Sequence, residues 1–219
     1  MSLEALPEEL DQLENPIYGP YAYTRSQLGP SSRLLDVGCG NAKVSAYLAE
    51  SGATVDGIEP AATRAGVAAT RVRHLSTVPA GHDDPDLLPA YDFVTFFDVI
   101  EHIAEPAPAL TWALGKLAPG GRILASIPNS AHLSFRTKIL RGDWSMDDWG
   151  LFDRTHLRFY DPTTMLALCP DGARLVEQRF YEPGVAGLRG RLLRRWPALF
   201  ALHALMIWEP IAGPESSGW

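Results

Sequence analysis

Short apolar runs alternate with amphipathic segments along residues 33–129. The runs have the length and nearly continuous apolar character of strands buried on both faces of a parallel sheet, and they are residues 33–37, 53–58, 91–97 and 122–127. Helices are predicted between them, at residues 42–50, 61–70 and 105–117. A regular succession of strand and helix predicts parallel strands joined by right-handed crossovers.

The pattern is weaker outside these runs. Further elements are predicted as a helix at 16–28, a third strand at 71–78, a helix at 163–168, and two final strands at 175–181 and 204–208. A long segment rich in Trp, Arg, His and Asp follows the fifth strand. We therefore expect an N-terminal cap segment, residues 1–32, and one α/β domain, residues 33–219, with a substrate-lid insert at 130–160.

Composition and charge narrow the classes of protein. The chain has 219 residues, 46% of them hydrophobic, which suits one globular domain with a core. The formal net charge of −7 disfavours a nucleic-acid partner, because phosphate contacts need a basic surface. The acidic start at 1–14 does not resemble a secretory signal, and the apolar stretch 198–208 is short for a membrane span. A cytoplasmic protein is expected.

The two cysteines, Cys39 and Cys169, are too few for a disulfide scaffold or a cysteine metal site. We interpret them as free thiols and expect no metal.

The loop after the first strand carries the strongest chemical signal. Gly38 and Gly40 permit a sharp turn and a close approach to a ligand. A dinucleotide fingerprint needs a third glycine where this chain has Lys43, so a nicotinamide oxidoreductase is disfavoured. Asp36 suits a cationic ligand better than a pyrophosphate, and Glu59, at the end of the second strand, suits ribose hydroxyls.

Three motifs together resemble class I S-adenosylmethionine-dependent methyltransferases. They are LLDVGCGN at 34–41, DVIEHI at 98–103, which is similar to the ubiquinone-type O-methyltransferases, and LAPGGRI at 117–123. The chain departs from the commonest loop at Ala42, where a third glycine is frequent. The resemblance implies a Rossmann-like, mostly parallel sheet of seven strands with helices on both faces and the last strand antiparallel.

The resemblance also implies S-adenosyl-L-methionine as the cofactor and a set of residues around it. Asp36 would act on the methionine end through its neighbourhood, Gly38, Cys39 and Gly40 would pass beside the cofactor, Glu59 would hold the ribose, and Phe97 and Asp98 would border the methionine moiety. The adenine contact is expected within residues 76–82.

The segment GLFDRTHLRFY at 150–160, with RWPALFA at 195–201, is similar to a subfamily often found with cell-surface polysaccharide or glycoconjugate enzymes. O-methylation of a sugar, a glycoconjugate or another hydroxylated small molecule is therefore our main hypothesis. The DVIEHI motif keeps a quinol or phenol acceptor open. A protein that binds the cofactor without catalysis is the alternative from another class.

Oxygen acceptors generally need a base, and histidine has a suitable pKa. His156 is the first candidate, with Asp153 to orient it, followed by His102 and then His132. A structural role for each histidine, and an internal pair of Asp153 with Arg158, stay open.

Four further side chains are candidates for binding substrate. Arg154 and Arg158 suit an anionic group, while Trp144 and Trp149 suit a sugar or ring. The alternative for the two tryptophans is that they only seal the lid and bind nothing. Residues 188–196 form a basic amphipathic helix, which predicts either a solvated face or a peripheral membrane contact. The sequence leaves a monomer and a homodimer open.

Overall fold

The structure is a computed structural model that describes residues 19–82, 84–148, 150–182 and 187–211, with only the backbone described at 187–190. The strands are β1 Arg33–Val37, β2 Thr54–Ile58, β3 Leu75–Ser76, β4 Tyr91–Phe97, β5 Leu117–Pro128, β6 Ala173–Tyr181 and β7 His203–Pro210. The helices are α1 Gly19–Gln27, α2 Lys43–Ala49, α3 Ala62–Ala68, α4 Pro106–Gly115, α5 Leu133–Leu140, α6 Pro162–Leu166, α7 Gly187–Arg195 and α8 Pro197–Phe200, with a 3₁₀ turn at Ile100–His102.

The seven strands form one sheet in the order β3-β2-β1-β4-β5-β7-β6. The first five positions are joined by parallel pairings, whereas β7 runs antiparallel to both β5 and β6. The predicted mostly parallel sheet of seven strands with an antiparallel last strand is confirmed. Helices surround the sheet, and the segment predicted as a lid insert follows β5.

Three elements differ from the predicted ones. The third strand has only two residues, because residues 71–74 form a turn ahead of it. Strand β5 begins at Leu117 and passes through the predicted turn at 119–121, with a shift in its register to β4. Helix α5, within the insert, has no counterpart among the predicted elements; its side chains are not buried, so no apolar stripe marks it.

The apolar runs are explained by burial on both sides of the sheet. In β1, Leu35 packs in a large cluster with Tyr91 and Phe96. Its neighbour Leu34 faces the other way, into a cluster with Leu48 of α2. All three strands at the centre, β1, β4 and β5, therefore need apolar residues at successive positions.

The order of the strands creates a crevice beside β1. The chain proceeds from β1 outward to β2 and β3, then returns to place β4 on the opposite side of β1. Val37 pairs with Ile58 on one side and Phe96 on the other, so three strands end at one level. Ligands of open α/β sheets bind at such a reversal, outside the carboxyl ends of the strands.

The C-terminal helix α7 carries exposed arginines at 191, 194 and 195, followed by the 48% exposed Trp196. The side chains at 188 and 189, which also contribute to the predicted amphipathic helix, are not among the side chains that the structure describes. Among the described helices, none has the length and apolar character that crossing a membrane requires.

Candidate active site

The loop after β1 is shaped by two glycines with left-handed backbone. Gly38 has φ +70°, and a Cβ there would lie 2.6 Å from a methyl group of Val99. Gly40 has φ +59° and open space where its Cβ would point. The Gly38 and Cys39 N–H groups donate to the Ile58 carbonyl, which fixes the loop on β2. The open side at Gly40 lets a ligand approach the backbone.

Ala42 shows why a third glycine is common at its position. Its φ is +57°, a left-handed conformation that costs a residue with a Cβ about 1–2 kcal/mol. The residue is fully buried, and its N–H donates to the Cys39 carbonyl at 2.8 Å within the loop.

Glu59 joins the loop to the end of β2. One carboxylate oxygen accepts from Gly40 N–H at 2.9 Å, and the other accepts from Ala61 N–H at 2.8 Å. The residue is 5% exposed. Each carboxylate oxygen can accept a second hydrogen bond, which leaves capacity for a ligand hydroxyl.

Asp36 has a supporting position behind the loop. Its carboxylate is 2% exposed and accepts from Ser45 Oγ at 2.6 Å and Thr95 Oγ1 at 2.9 Å, which ties β1 to α2 and β4. Burial raises the pKa of Asp36 to about 6, although both hydroxyls act in the opposite direction. Any influence of Asp36 on a cofactor is therefore exerted through the loop.

Both cysteines are free thiols. Burial raises the pKa of Cys39, with the carboxylates of Asp36 and Glu59 adding to the effect, so this thiol stays protonated beside the loop.

Asp98, which follows β4, is the centre of a polar cluster. Its φ is +53°, unusual for a residue with a side chain. The carboxylate accepts from Tyr21 Oη at 3.1 Å and Ser126 Oγ at 3.0 Å, and His203 Nε2 lies 3.5 Å away. Tyr21 also meets the Phe97 ring edge-on at 4.9 Å. Helix α1 thus lies over the end of β4.

His203 is a site residue that the sequence analysis missed. It opens β7, lies beside Asp98, and lines a cavity of about 700 Å³ under the insert. In the sequence, His203 is notable only because it interrupts the apolar stretch 198–208. That stretch by itself indicates a strand and not a functional site. Polar side chains of the same cavity belong mainly to the insert: Ser134, Lys138, Asp147, Asp148 and Arg154.

His102 and His156 are brought together by the fold. Their rings lie 4.8 Å apart, edge to face. His156 is 6% exposed by side chain, and its Nε2 lies 3.9 Å from Glu101 Oε1. Burial, with the neighbouring His102, lowers the pKa of His156. The catalytic role of either histidine stays a prediction.

Glu101 has its carboxylate within ion-pair distance of His156 Nε2, at 3.9 Å, while Asp153 lies near enough to raise the pKa of His156. The Oδ1 atom of Asp153 accepts from Thr155 N–H at 2.7 Å and from Thr155 Oγ1 at 2.6 Å. Although partial burial opposes it, these two hydrogen bonds lower the pKa of Asp153. Asp153 therefore shapes the turn that presents His156, and in the described structure its side chain has no hydrogen bond or ion pair with His156 or Arg158.

Glu101, which precedes His102, is fully enclosed at 1% exposure. Burial raises its pKa well above the usual range, and Asp98 contributes in the same direction. Its backbone carbonyl accepts from the N–H groups of Leu157 and Arg158 at 2.8 and 3.1 Å. These two bonds attach the insert to the turn after β4.

The remaining candidates are dispersed. Arg154 pairs with Asp148 at 2.8 Å on the insert cavity, whereas Arg158 donates to the Ala104 carbonyl at 2.6 Å and lines a different cavity. The two arginines do not converge on one anion. Trp144 is 70% exposed, and Trp149 lies outside the described residues.

His132 begins helix α5 as its N-cap, with Nδ1 accepting from Ser134 N–H at 3.2 Å. Its Nε2 lies 3.6 Å from Glu182. Burial, followed by the proximity of His203, lowers the pKa of His132. It belongs to the His203 side of the site rather than to the His102–His156 pair.

The strand order, the glycine loop and the acidic residues at the ends of β2 and β4 define the Rossmann-like fold of class I methyltransferases. The family described as "Methyltransferase domain" matches residues 12–171. The chain belongs to this family.

Relatives and solved structures agree with this assignment. A ubiquinone biosynthesis O-methyltransferase of Cereibacter sphaeroides is 32% identical over 132 residues, covering 55% of this chain and 53% of the relative. The chain thus spans about half the length of the curated relatives it matches.

A TehB-like SAM-dependent methyltransferase from Corynebacterium glutamicum aligns over 95% of this chain and 97% of its own, with a TM-score of 0.61 and 16% identity. A SAM-dependent methyltransferase from Geobacter sulfurreducens in complex with S-adenosyl-L-homocysteine aligns over 88% and 91%, with a TM-score of 0.57 and 16% identity. At these identities the likeness concerns the fold.

The buried carboxylate of Asp36 makes stability depend on pH. Its pKa is about 6 in the folded chain against 3.8 for an ordinary aspartate, so its favourable contribution is present below about pH 4 and lost as pH rises through 6. An asparagine side chain at this position cannot ionise. The advantage of Asp36→Asn over wild type in free energy of unfolding should therefore grow by about 2 kcal/mol between pH 4 and 7.5.

Denaturant unfolding of both proteins across this range measures the difference, with Asp171→Asn on the exposed surface as the control. A difference between Asp36→Asn and wild type that does not change with pH would contradict the buried, protonatable carboxylate.

Proposed function

We propose that this chain is an S-adenosylmethionine-dependent methyltransferase that methylates an oxygen atom of a hydroxylated small molecule. The observation that carries the proposal is the joining of three features at one sheet edge. These are the open glycine loop after β1, the Glu59 carboxylate after β2 and the Asp98 cluster after β4. Membership of the methyltransferase family supports the same activity.

The residues at this edge fit the cofactor. Gly40 leaves its ligand side open, and Glu59 keeps acceptor capacity for ribose hydroxyls while holding the loop. Phe97 and Asp98 border the place expected for the methionine end, and residues 76–82, which follow β3, stay our proposal for the adenine contact. When bound, the cofactor supplies an electrophilic methyl group, whose carbon bonds to the acceptor oxygen as its bond to sulfur breaks and S-adenosylhomocysteine is formed.

The chain's own task is to hold the acceptor in line and to remove its proton. The cavity of about 700 Å³ under the insert suits this task, because His203 belongs both to its lining and to the Asp98 cluster. Its polar side chains, Lys138, Asp147 and Arg154 among them, favour an acceptor rich in hydroxyl groups. A sugar or glycoconjugate is accordingly our first acceptor class.

A quinol or phenol acceptor is the second candidate, favoured by the relatives named ubiquinone biosynthesis O-methyltransferase. If the acceptor, of either class, is attached to a lipid, we also propose that residues 188–196 contact the membrane surface.

The His102–His156 pair, on the turn after β4 and the insert, is our candidate for proton removal, whereas the histidine that lines the cavity itself is His203. The low exposure of His156 and the depressed pKa keep its ring neutral near pH 7, the form that accepts a proton or binds a cation. Asp153 acts on the pair by way of Thr155, whose carbonyl lies 3.1 Å from His102 Nδ1.

Replacing Glu59 tests the cofactor site. Glu59→Ala removes the proposed ribose acceptor and the hydrogen bond to Gly40. Because hydrogen bonds to a charged group contribute about 1.5–3 kcal/mol each, affinity for S-adenosylmethionine should fall roughly 10- to 100-fold. Equilibrium dialysis with the labelled cofactor measures it. Glu50→Ala, which removes a surface partner of Arg25, is the matched control. Equal affinity of Glu59→Ala and wild type would mean that the ribose is held elsewhere.

Replacing His156 tests the proposed chemistry. His156→Ala should keep cofactor affinity and lose at least about 100-fold in methyl transfer, the usual contribution of a proton-transfer group. Transfer of labelled methyl groups to a panel of sugars, glycolipids and phenols is the assay, with His74→Ala as the control. Full turnover by the variant would remove His156 from the mechanism. Cofactor binding without transfer to any acceptor by wild type would favour the non-catalytic alternative.

A further inference from the structure

Glu101 is a buried carboxylate without a hydrogen-bond partner. It is 1% exposed, and neither Oε1 nor Oε2 has a hydrogen bond of normal geometry in the described structure, although the backbone of Glu101 itself lies near enough to favour the charged form. Burying an uncompensated carboxylate is costly, so its charge calls for a cation or a proton. The nearest ring nitrogen is Nε2 of His156, at 3.9 Å, too far for a hydrogen bond.

Three potential ligand atoms converge at this point. One atom each from Glu101, His102 and His156 lies within 4.8 Å of the other two. Ligands about 2.1 Å from one tetrahedral ion lie about 3.4 Å apart, so the widest pair needs to approach by up to about 1.4 Å when the ion binds. His102 and His156 come from different segments, the turn after β4 and the insert, and the backbone bonds of the Glu101 carbonyl described above hold these two segments together.

The surroundings prepare the two imidazoles for a ligand role. His102 Nδ1 lies 3.1 Å from both the carbonyl oxygen and Oγ1 of Thr155. Because a carbonyl only accepts, the tautomer that suits this contact has its proton on Nδ1 and its lone pair on the other nitrogen. Metal-binding histidines commonly donate their second ring N–H to a carbonyl in this way. For His156, the corresponding backbone group is that of Leu151, which lies near the ring and favours its protonated form.

We propose that Glu101, His102 and His156 bind a divalent first-row transition-metal ion such as Zn²⁺. Two imidazoles and one carboxylate form a ligand set suited to such ions and leave positions for water or substrate. Mg²⁺ prefers oxygen ligands and is a poor match. No metal was expected because the chain has only two cysteines, and neither cysteine belongs to this proposed site.

The role of the ion in catalysis rests on the proposed function. A divalent ion beside the Asp98 end of the site lowers the pKa of an acceptor hydroxyl in contact with it. With both imidazoles holding the ion, the acceptor hydroxyl would lose its proton to water rather than to the His102–His156 pair. Ion binding and methyl transfer are separate observables, so either can fail alone.

The test is a titration of the chelator-treated full chain with Zn²⁺ against a chromophoric chelator, and with Co²⁺ followed by visible absorption. We expect one equivalent to bind, with excess Mg²⁺ failing to displace it. The substitutions Glu101→Gln and His102→Gln should each weaken metal binding by about 100-fold or more. This loss exceeds the roughly 10- to 100-fold loss typical of residues that only hydrogen-bond to a metal ligand. Affinity for S-adenosylhomocysteine should not change in either variant, which also shows that each is folded.

A second cluster provides the matched control. His74, Asp84 and Asp86 also lie close together, but hydrogen bonds within the cluster already occupy Asp84, and Asp86 is exposed. His74→Gln should leave the titration unchanged. The proposal is overturned if wild type binds no stoichiometric ion, if binding survives both Glu101→Gln and His102→Gln, if His74→Gln abolishes it, or if Mg²⁺ displaces the ion.

Discussion

The pairing of β1 with β4 is the constraint on which the site depends. Because the chain leaves β1 for one half of the sheet and returns to β4 for the other, the loops after these strands diverge and leave a crevice. Every feature assigned to the cofactor lies at its rim. The glycine loop follows β1, Glu59 follows β2 beside it, and Asp98 follows β4. Buried bonds from Asp36 to Ser45 and Thr95 hold the loop, helix α2 and β4 in a fixed relation.

The insert depends on the same strand end. The carbonyl of Glu101 accepts two backbone N–H groups of the insert, and its side chain lies close to the two histidines. On the other side of Asp98, His203 links the sheet to the cavity under the insert. The turn after β4 therefore connects three regions that are distant in sequence: helix α1, the insert and the start of β7.

The sequence predicted most of the central sheet because strands buried on both faces are apolar at each position, as Leu34 and Leu35 illustrate. It predicted β3 and β5 less well, since a two-residue strand has no pattern and Pro119–Gly120 is normally a turn. No local sequence pattern predicted that His102 and His156 would be close together. His102 contacts Thr155, the residue before His156, and 53 positions of the chain separate this pair.

The same limit explains the residues that were missed or misplaced. Burial of Glu101 and its lack of partners are tertiary properties, and an Asp beside a His in sequence, as at 153 and 156, does not reveal which carboxylate is closer in space. Arg154 and Arg158 are four positions apart yet face different cavities, because the segment between them is an irregular loop rather than a helix.

Calorimetric titration of the wild-type protein with S-adenosylhomocysteine tests whether the crevice beside β1 is a cofactor site. We expect saturable binding of one equivalent with a dissociation constant on the order of micromolar, about −8 kcal/mol in free energy of binding. If S-adenosylhomocysteine gave no heat of binding and did not compete with S-adenosylmethionine, the crevice beside β1 would not be a site for this cofactor.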